Sequence, residues 1–130
     1  MDKKYIFSVW KRKTATAKVK LFEWSEESTI NWKKVSEYIS RKDLFDVVFS
    51  PLKLCKVKDS FFFEVEVDWS WISAQSQAIR HWLSKILAWK QDTFKKILKS
   101  VWFLTRDARI VERKKPGKHK ARKSIQWSKR

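Results

Sequence analysis

Hydrophobic and polar positions alternate with a period of two in two parts of this chain. From Ala15 onward, Ala15, Ala17, Val19 and Leu21 fall on one face, with Thr16, Lys18, Lys20 and Phe22 on the other. That is the signature of a strand with one buried side, and its solvent side is cationic. Residues 61–68 repeat the pattern: Phe61, Phe63, Val65 and Val67 oppose Glu64, Glu66 and Asp68. Shorter strands are expected at residues 5–9 and 28–31, and residues 10–14 (Trp10-Lys11-Arg12-Lys13-Thr14) read as a basic turn. Helical spacing takes over later. Residues 73–90 carry a stripe of Ala78, Ile79, Leu83, Ile86 and Leu87, with Arg80 and Lys85 off it. Asp92 is placed to cap a second helix that turns Phe94, Ile97, Leu98 and Val101 to the core. Residues 35–39 and 43–49 predict short helices, the latter ended by Pro51. Residues 109–111 predict a last edge strand. Strands followed by two core-packing helices give an α+β fold, a two-layer domain with a sheet covered on one face.

Charge divides the chain. From Arg106 to Arg130 there are eleven Lys/Arg against two acids, Asp107 and Glu112, which is +9 of the +17 total. Past Val111 only Ile125 and Trp127 are large and apolar, too little to offset the entropy of ordering. Residues 1–105 therefore read as a globular domain, and residues 106–130 as an extended basic C-terminal arm, turned once at Pro116-Gly117. Such a balance points to nucleic acid first and an anionic surface second. No apolar run approaches the ~20 residues of a membrane span. The arm lacks the apolar face of an interfacial helix, so no membrane partner is expected.

Enzyme chemistry finds little support. Cys55 is the single cysteine, excluding an internal disulfide or a cysteine-built metal site, and it reads as a buried small hydrophobe. His81 and His119 have no surrounding Cys/His/carboxylate constellation, so no catalytic residue, metal or cofactor is expected. Glu64, Glu66 and Asp68 share a face without any partner motif and read as a solvated or salt-bridged surface.

Several stretches resemble the universal small-subunit ribosomal protein S-nine family, bacterial type. They are Trp10-Lys11-Arg12-Lys13-Thr14-Ala15, Ala78-Ile79-Arg80-His81, Leu104-Thr105-Arg106-Asp107, Val111-Glu112-Arg113-Lys114-Lys115-Pro116-Gly117 and Gln126-Trp127-Ser128-Lys129-Arg130. Order and spacing agree over nearly the whole chain. The resemblance implies a mixed β-sheet backed by two helices, of the ribosomal protein S-five domain-two-like kind. It implies a structural constituent of the small ribosomal subunit, cytoplasmic and ribosome-bound, acting in translation. Its partners would be small-subunit ribosomal RNA (rRNA) in the subunit head, neighbouring head proteins and P-site transfer RNA (tRNA), with no DNA. Carried over position by position, the rRNA-binding residues are Lys11, Arg12, Lys13, Arg80, Arg106, Arg109, Arg113, Lys114, Lys115, Lys118, Lys120, Arg122 and Lys123. The tRNA-binding residues are Ser128, Lys129 and Arg130. An off-ribosome basic RNA-binding protein is the alternative.

One feature of the composition stands apart. Glycine averages roughly 7% of residues, so about nine are expected in a chain of this length; there is one, Gly117, beside nine Trp. Seven Trp (Trp10, Trp24, Trp32, Trp69, Trp71, Trp82 and Trp102) stand where the family has glycine. Local chemistry asks for glycine at several of them. Asn31-Trp32 sits in a tight hairpin turn that needs positive φ. Trp102 follows a helical stripe where a left-handed cap is usual. Trp69-Ser70-Trp71 joins a strand to a helix N-terminus. Two readings stand: UGA codons that the organism reads as glycine rendered as tryptophan by another translation table, or aromatic platforms for base stacking.

Overall fold

The structure, a computed structural model, describes residues 4–129. Five strands form one mixed sheet in the order β1-β2-β5-β3-β4. They are β1 (Tyr5–Arg12), β2 (Ala15–Phe22), β3 (Thr29–Ile30), β4 (Lys33–Lys34) and β5 (Phe62–Val67). All neighbours are antiparallel except β3 and β5, which run parallel. Four helices follow the chain: α1 (Val35–Tyr38), α2 (Lys42–Leu54), α3 (Ile72–Lys90) and α4 (Asp92–Ser100). The sheet and the two later helices meet the sequence expectation. Helices α1 and α2 fall at the two short helices expected, α2 running longer than residues 43–49, and strand β4 adds to the expectation.

The alternation in β2 is realised on the inner side. Ala15, Ala17, Val19 and Leu21 are all buried, and the last three share one core with Ala78, Ile79, Leu83 and Leu87 of α3 and Phe63 and Val65 of β5. Each fully buried Val, Leu or Phe stabilises by about 1.5–3 kcal/mol relative to exposure, so this seam carries much of the fold. The outer side is open at the β1 edge, where Tyr5 and Phe7 are half exposed. It is not uniformly cationic. Lys18 faces Glu66 and Lys20 faces Glu64 across the β2–β5 ladder, so opposite charges alternate. Phe22 is also buried on that side, stacked on Phe62 at 4.6 Å.

Five expectations are corrected. Residues 10–12 are not turn but strand: β2 offers β1 a partner for each residue, and pairing continues to Arg12↔Ala15, leaving only Lys13-Thr14 as the turn. Pro51 does not end its helix. It has no N–H for the Val47 carbonyl, but the Ser50 hydroxyl donates to that carbonyl at 2.7 Å, and α2 continues to Leu54. Asp92 is the first residue of α4, not its cap, and acts there through its charge at the positive end of the helix. In α4, Leu98 is fully buried, whereas Ile97 and Val101 are exposed. Residues 109–111 form no strand.

Two of the glycine-type turns have the backbone that the sequence demands. Asn31 and Trp32 both have positive φ, 47° and 63°, and close the β3–β4 hairpin as a type I′ turn requires. Trp102 has φ 61° just past α4. There the Phe103 N–H donates to Leu98 O at 3.1 Å and the Trp102 N–H to Lys99 O at 3.2 Å, the paired bonds of a Schellman cap.

Candidate nucleic-acid interface

The basic hairpin β1–β2 and the start of α3 meet at the root of the C-terminal arm. Alternation in β1 decides which cations face out. Lys11 is exposed and Arg12, one residue on, turns inward and is only 8% exposed. Lys13 is exposed at the turn. Each nitrogen of the buried guanidinium has a partner. Its Nε donates to Gln77 Oε1 at 3.0 Å, Nη1 to the Arg109 carbonyl at 2.6 Å and Nη2 to Asp107 Oδ2 at 2.9 Å. A single side chain thus ties the end of β1, the first turns of α3 and the arm root.

Asp107 is the centre of that knot. Besides Arg12 it accepts from the Arg109 backbone N–H at 3.1 Å and from Arg109 Nε and Nη2, both at 3.0 Å. The bonds from Arg109 and the nearby Arg12 charge hold its carboxyl well below the usual carboxylate range. Arg80 of α3 lies 5.0 Å over the Phe103 ring. Burial lowers its pKa, while the Asp107 charge works against that shift. His81 stacks on Trp10 at 4.9 Å. Its pKa is pushed down to about 4, first by burial and then by Lys85, Arg80 and Arg106, so at neutral pH it is uncharged. Arg106 is exposed beside this cluster.

Beyond the root, the arm is solvent-facing along most of its length. It is not featureless. Glu112 accepts two bonds from Arg122, at 2.9 and 2.7 Å, closing a loop around Pro116-Gly117. Within the loop the His119 N–H donates to Lys123 O at 2.9 Å, and Lys118 bridges to Ser124. Lys115 lies 3.9 Å from Glu112. Arg113, Lys114, Lys120 and Lys123 are exposed, and Lys118 is half-buried. Ser128 and Lys129 are exposed too; Arg130 lies outside the described residues.

The structure therefore gathers Arg12, Arg80 and Arg109 around one acid, with Arg106 exposed beside them, and strings the other arm cations outward. Lys11 and Lys13 face solvent near the hairpin turn. Gln77 and Asp107 were not among the residues expected to take part. Asp107 had a legible signal, a lone acid two residues before an arginine within a cationic stretch; Gln77 had none. Cys55 is buried in the core, where burial raises its thiol pKa. Among the described residues no group of His, Cys, Asp and Glu is arranged to hold a metal ion.

Such a body and arm place the chain among small basic α+β proteins. It belongs to the family described as Ribosomal protein S9/S16, which matches residues 10–130. It is 39% identical to the small ribosomal subunit protein uS9 of Maridesulfovibrio salexigens, over the full length of both chains. It is 37% identical to uS9 of Desulfovibrio desulfuricans, again over both full lengths. With uS9 of a Nitratiruptor species it shares 42% over 96% of this chain and 98% of that one. The family is structural rather than catalytic.

Proposed function

We propose that this chain is a structural constituent of the small ribosomal subunit, cytoplasmic and ribosome-bound, whose body binds rRNA in the subunit head and whose arm reaches the P-site tRNA. Its fold on this reading is ribosomal protein S-five domain-two-like. The observation that carries the reading is the split between body and arm. The body folds around its own core, while the cation-rich stretch from Arg106 onward contributes almost nothing to that core and faces solvent. Lys11 and Lys13, with Arg106, Arg109, Arg113, Lys114, Lys115, Lys120, Arg122 and Lys123, are among the cations exposed to solvent in this arrangement. Arginines serve phosphate through paired N–H groups and lysines as point charges. Spaced along a narrow arm they suit an RNA crevice, read through shape and phosphate more than base sequence.

Three experiments test this. Washed small subunits from the source organism should contain the chain at near one copy each; a chain found mainly off the ribosome would establish the free RNA-binding alternative instead. In vitro, if about five phosphates are neutralised, the slope of log affinity against log salt for small-subunit rRNA should be about −3.5 to −4.5. A slope near zero contradicts the electrostatic account. Deleting residues 128–130 should leave folding and subunit incorporation intact and weaken P-site tRNA binding, measured on reconstituted subunits.

A further inference from the structure

We propose that positions 32 and 102, written as tryptophan, are glycine in the protein its own organism makes. The backbone is the first ground. Both residues adopt left-handed φ, 63° and 61°, in two motifs built for glycine: the second central position of a type I′ turn and the residue after a Schellman-capped helix. Left-handed φ alone does not decide it, since Lys13, Asn31 and Lys56 share it. The Cβ strain is the same for lysine as for tryptophan; what sets 32 and 102 apart is a motif that favours glycine combined with a large apolar ring that burial would have to reward. Neither ring is buried. Trp32 is 86% exposed and Trp102 77% exposed.

The remaining tryptophans agree on separate grounds. Trp82 is 1% exposed at the centre of α3, yet its indole N–H has no acceptor, and neither has that of Trp10. A buried tryptophan usually finds a partner for that group. Trp69 and Trp71, in contrast, lie almost wholly in solvent. A chain with nine Trp that strains some, orphans others and exposes more is not using the residue for its chemistry. One cause covers all of these: UGA codons translated as tryptophan where the organism reads glycine. Any other Trp encoded by that triplet changes with positions 32 and 102.

Peptide mass spectrometry of the chain from native ribosomes decides it. Peptides spanning residues 31–33 and 101–103 should carry the mass of glycine at 32 and 102; tryptophan masses there overturn the proposal. In the recombinant chain as written, Trp32→Gly and Trp102→Gly should each raise the folding equilibrium constant about tenfold, read from urea unfolding. A fall at either site would show that the backbone does not ask for glycine.

A second, independent observation concerns Arg12. Its three nitrogen donors are all engaged inside the protein. The geometry assigns it as a positioning residue that fixes the arm's exit, rather than a phosphate ligand. This rests on the RNA-binding reading above. Asp107→Asn separates the possibilities. Removing an acid should tighten binding to a polyanion by simple electrostatics; if Asp107 and Arg12 aim the arm, it should weaken it several-fold. Arg12→Ala should weaken affinity at an unchanged salt slope, whereas loss of a phosphate contact flattens the slope by about 0.7–0.9. Tighter binding by Asp107→Asn, or a flattened slope for Arg12→Ala, overturns the assignment. Amide exchange at residues 107–111 tests the clasp without RNA: it should quicken in both variants, and unchanged exchange refutes the clasp even if RNA binding holds.

Discussion

His81 shows how the environment of one side chain sets a pH dependence for the whole fold. It is buried on α3 under the Trp10 ring, with Lys85, Arg80 and Arg106 adding cationic repulsion. Its pKa falls from 6.5 to about 4. Between those values the unfolded chain binds the proton and the folded chain does not. Stability therefore rises with pH through that window and is lost as pH falls from about 6.5 towards 4. A shift of that size corresponds to up to about 3 kcal/mol. Urea unfolding at pH 7 and pH 4.5 should show the loss, and His81→Gln should remove most of it. NMR titration of Trp10→Gly, which takes away the ring above the imidazole, should move the His81 pKa back towards its ordinary value.

At the scale of elements, the strands were legible because one buried face imposes period two. Ala15 to Leu21 and Phe63 to Val67 therefore needed no partner to be recognised. The stripe of α3 was legible for the same reason at period 3.6. What sequence could not show was decided by partners. Whether residues 10–12 belong to a turn or a strand depends on how far β2 extends opposite them. Arg12, expected among the rRNA-binding cations, turns inward because its register puts it there. Gln77 joins it only because α3 begins beside the arm root. The helix through Pro51 depends on a single hydroxyl. Ser50 supplies the bond to Val47 O that Pro51 does not. Ser50→Ala should cost about 1 kcal/mol, measured by urea unfolding, with the helix end frayed past residue 50 in amide exchange.

For the whole molecule, stability and charge reside in different residues. The body contains every buried apolar side chain of the core, the last being Leu98, while +9 of the +17 net charge lies from Arg106 onward. The two properties should therefore respond separately to mutation. Lys114 and Lys115 are exposed, outside the core, and the Lys115 ammonium lies 3.9 Å from the Glu112 carboxylate. An exposed pair at that distance contributes little, about 0–1 kcal/mol. Replacing both lysines by Gln should leave the melting temperature within about 2 °C of the parent chain. If each neutralises a phosphate, the same change should flatten the salt slope of rRNA binding by about 1.4–1.8 in total. The opposite case is Leu83→Ala, a fully buried truncation under β2, which should cost about 2–5 kcal/mol. Measured below its lowered melting temperature, it should leave the salt slope unchanged. Were the lysine pair to lower stability as much as Leu83→Ala does, the arm would be packed on the body, and the division between a folded anchor and a charge-bearing arm would fail.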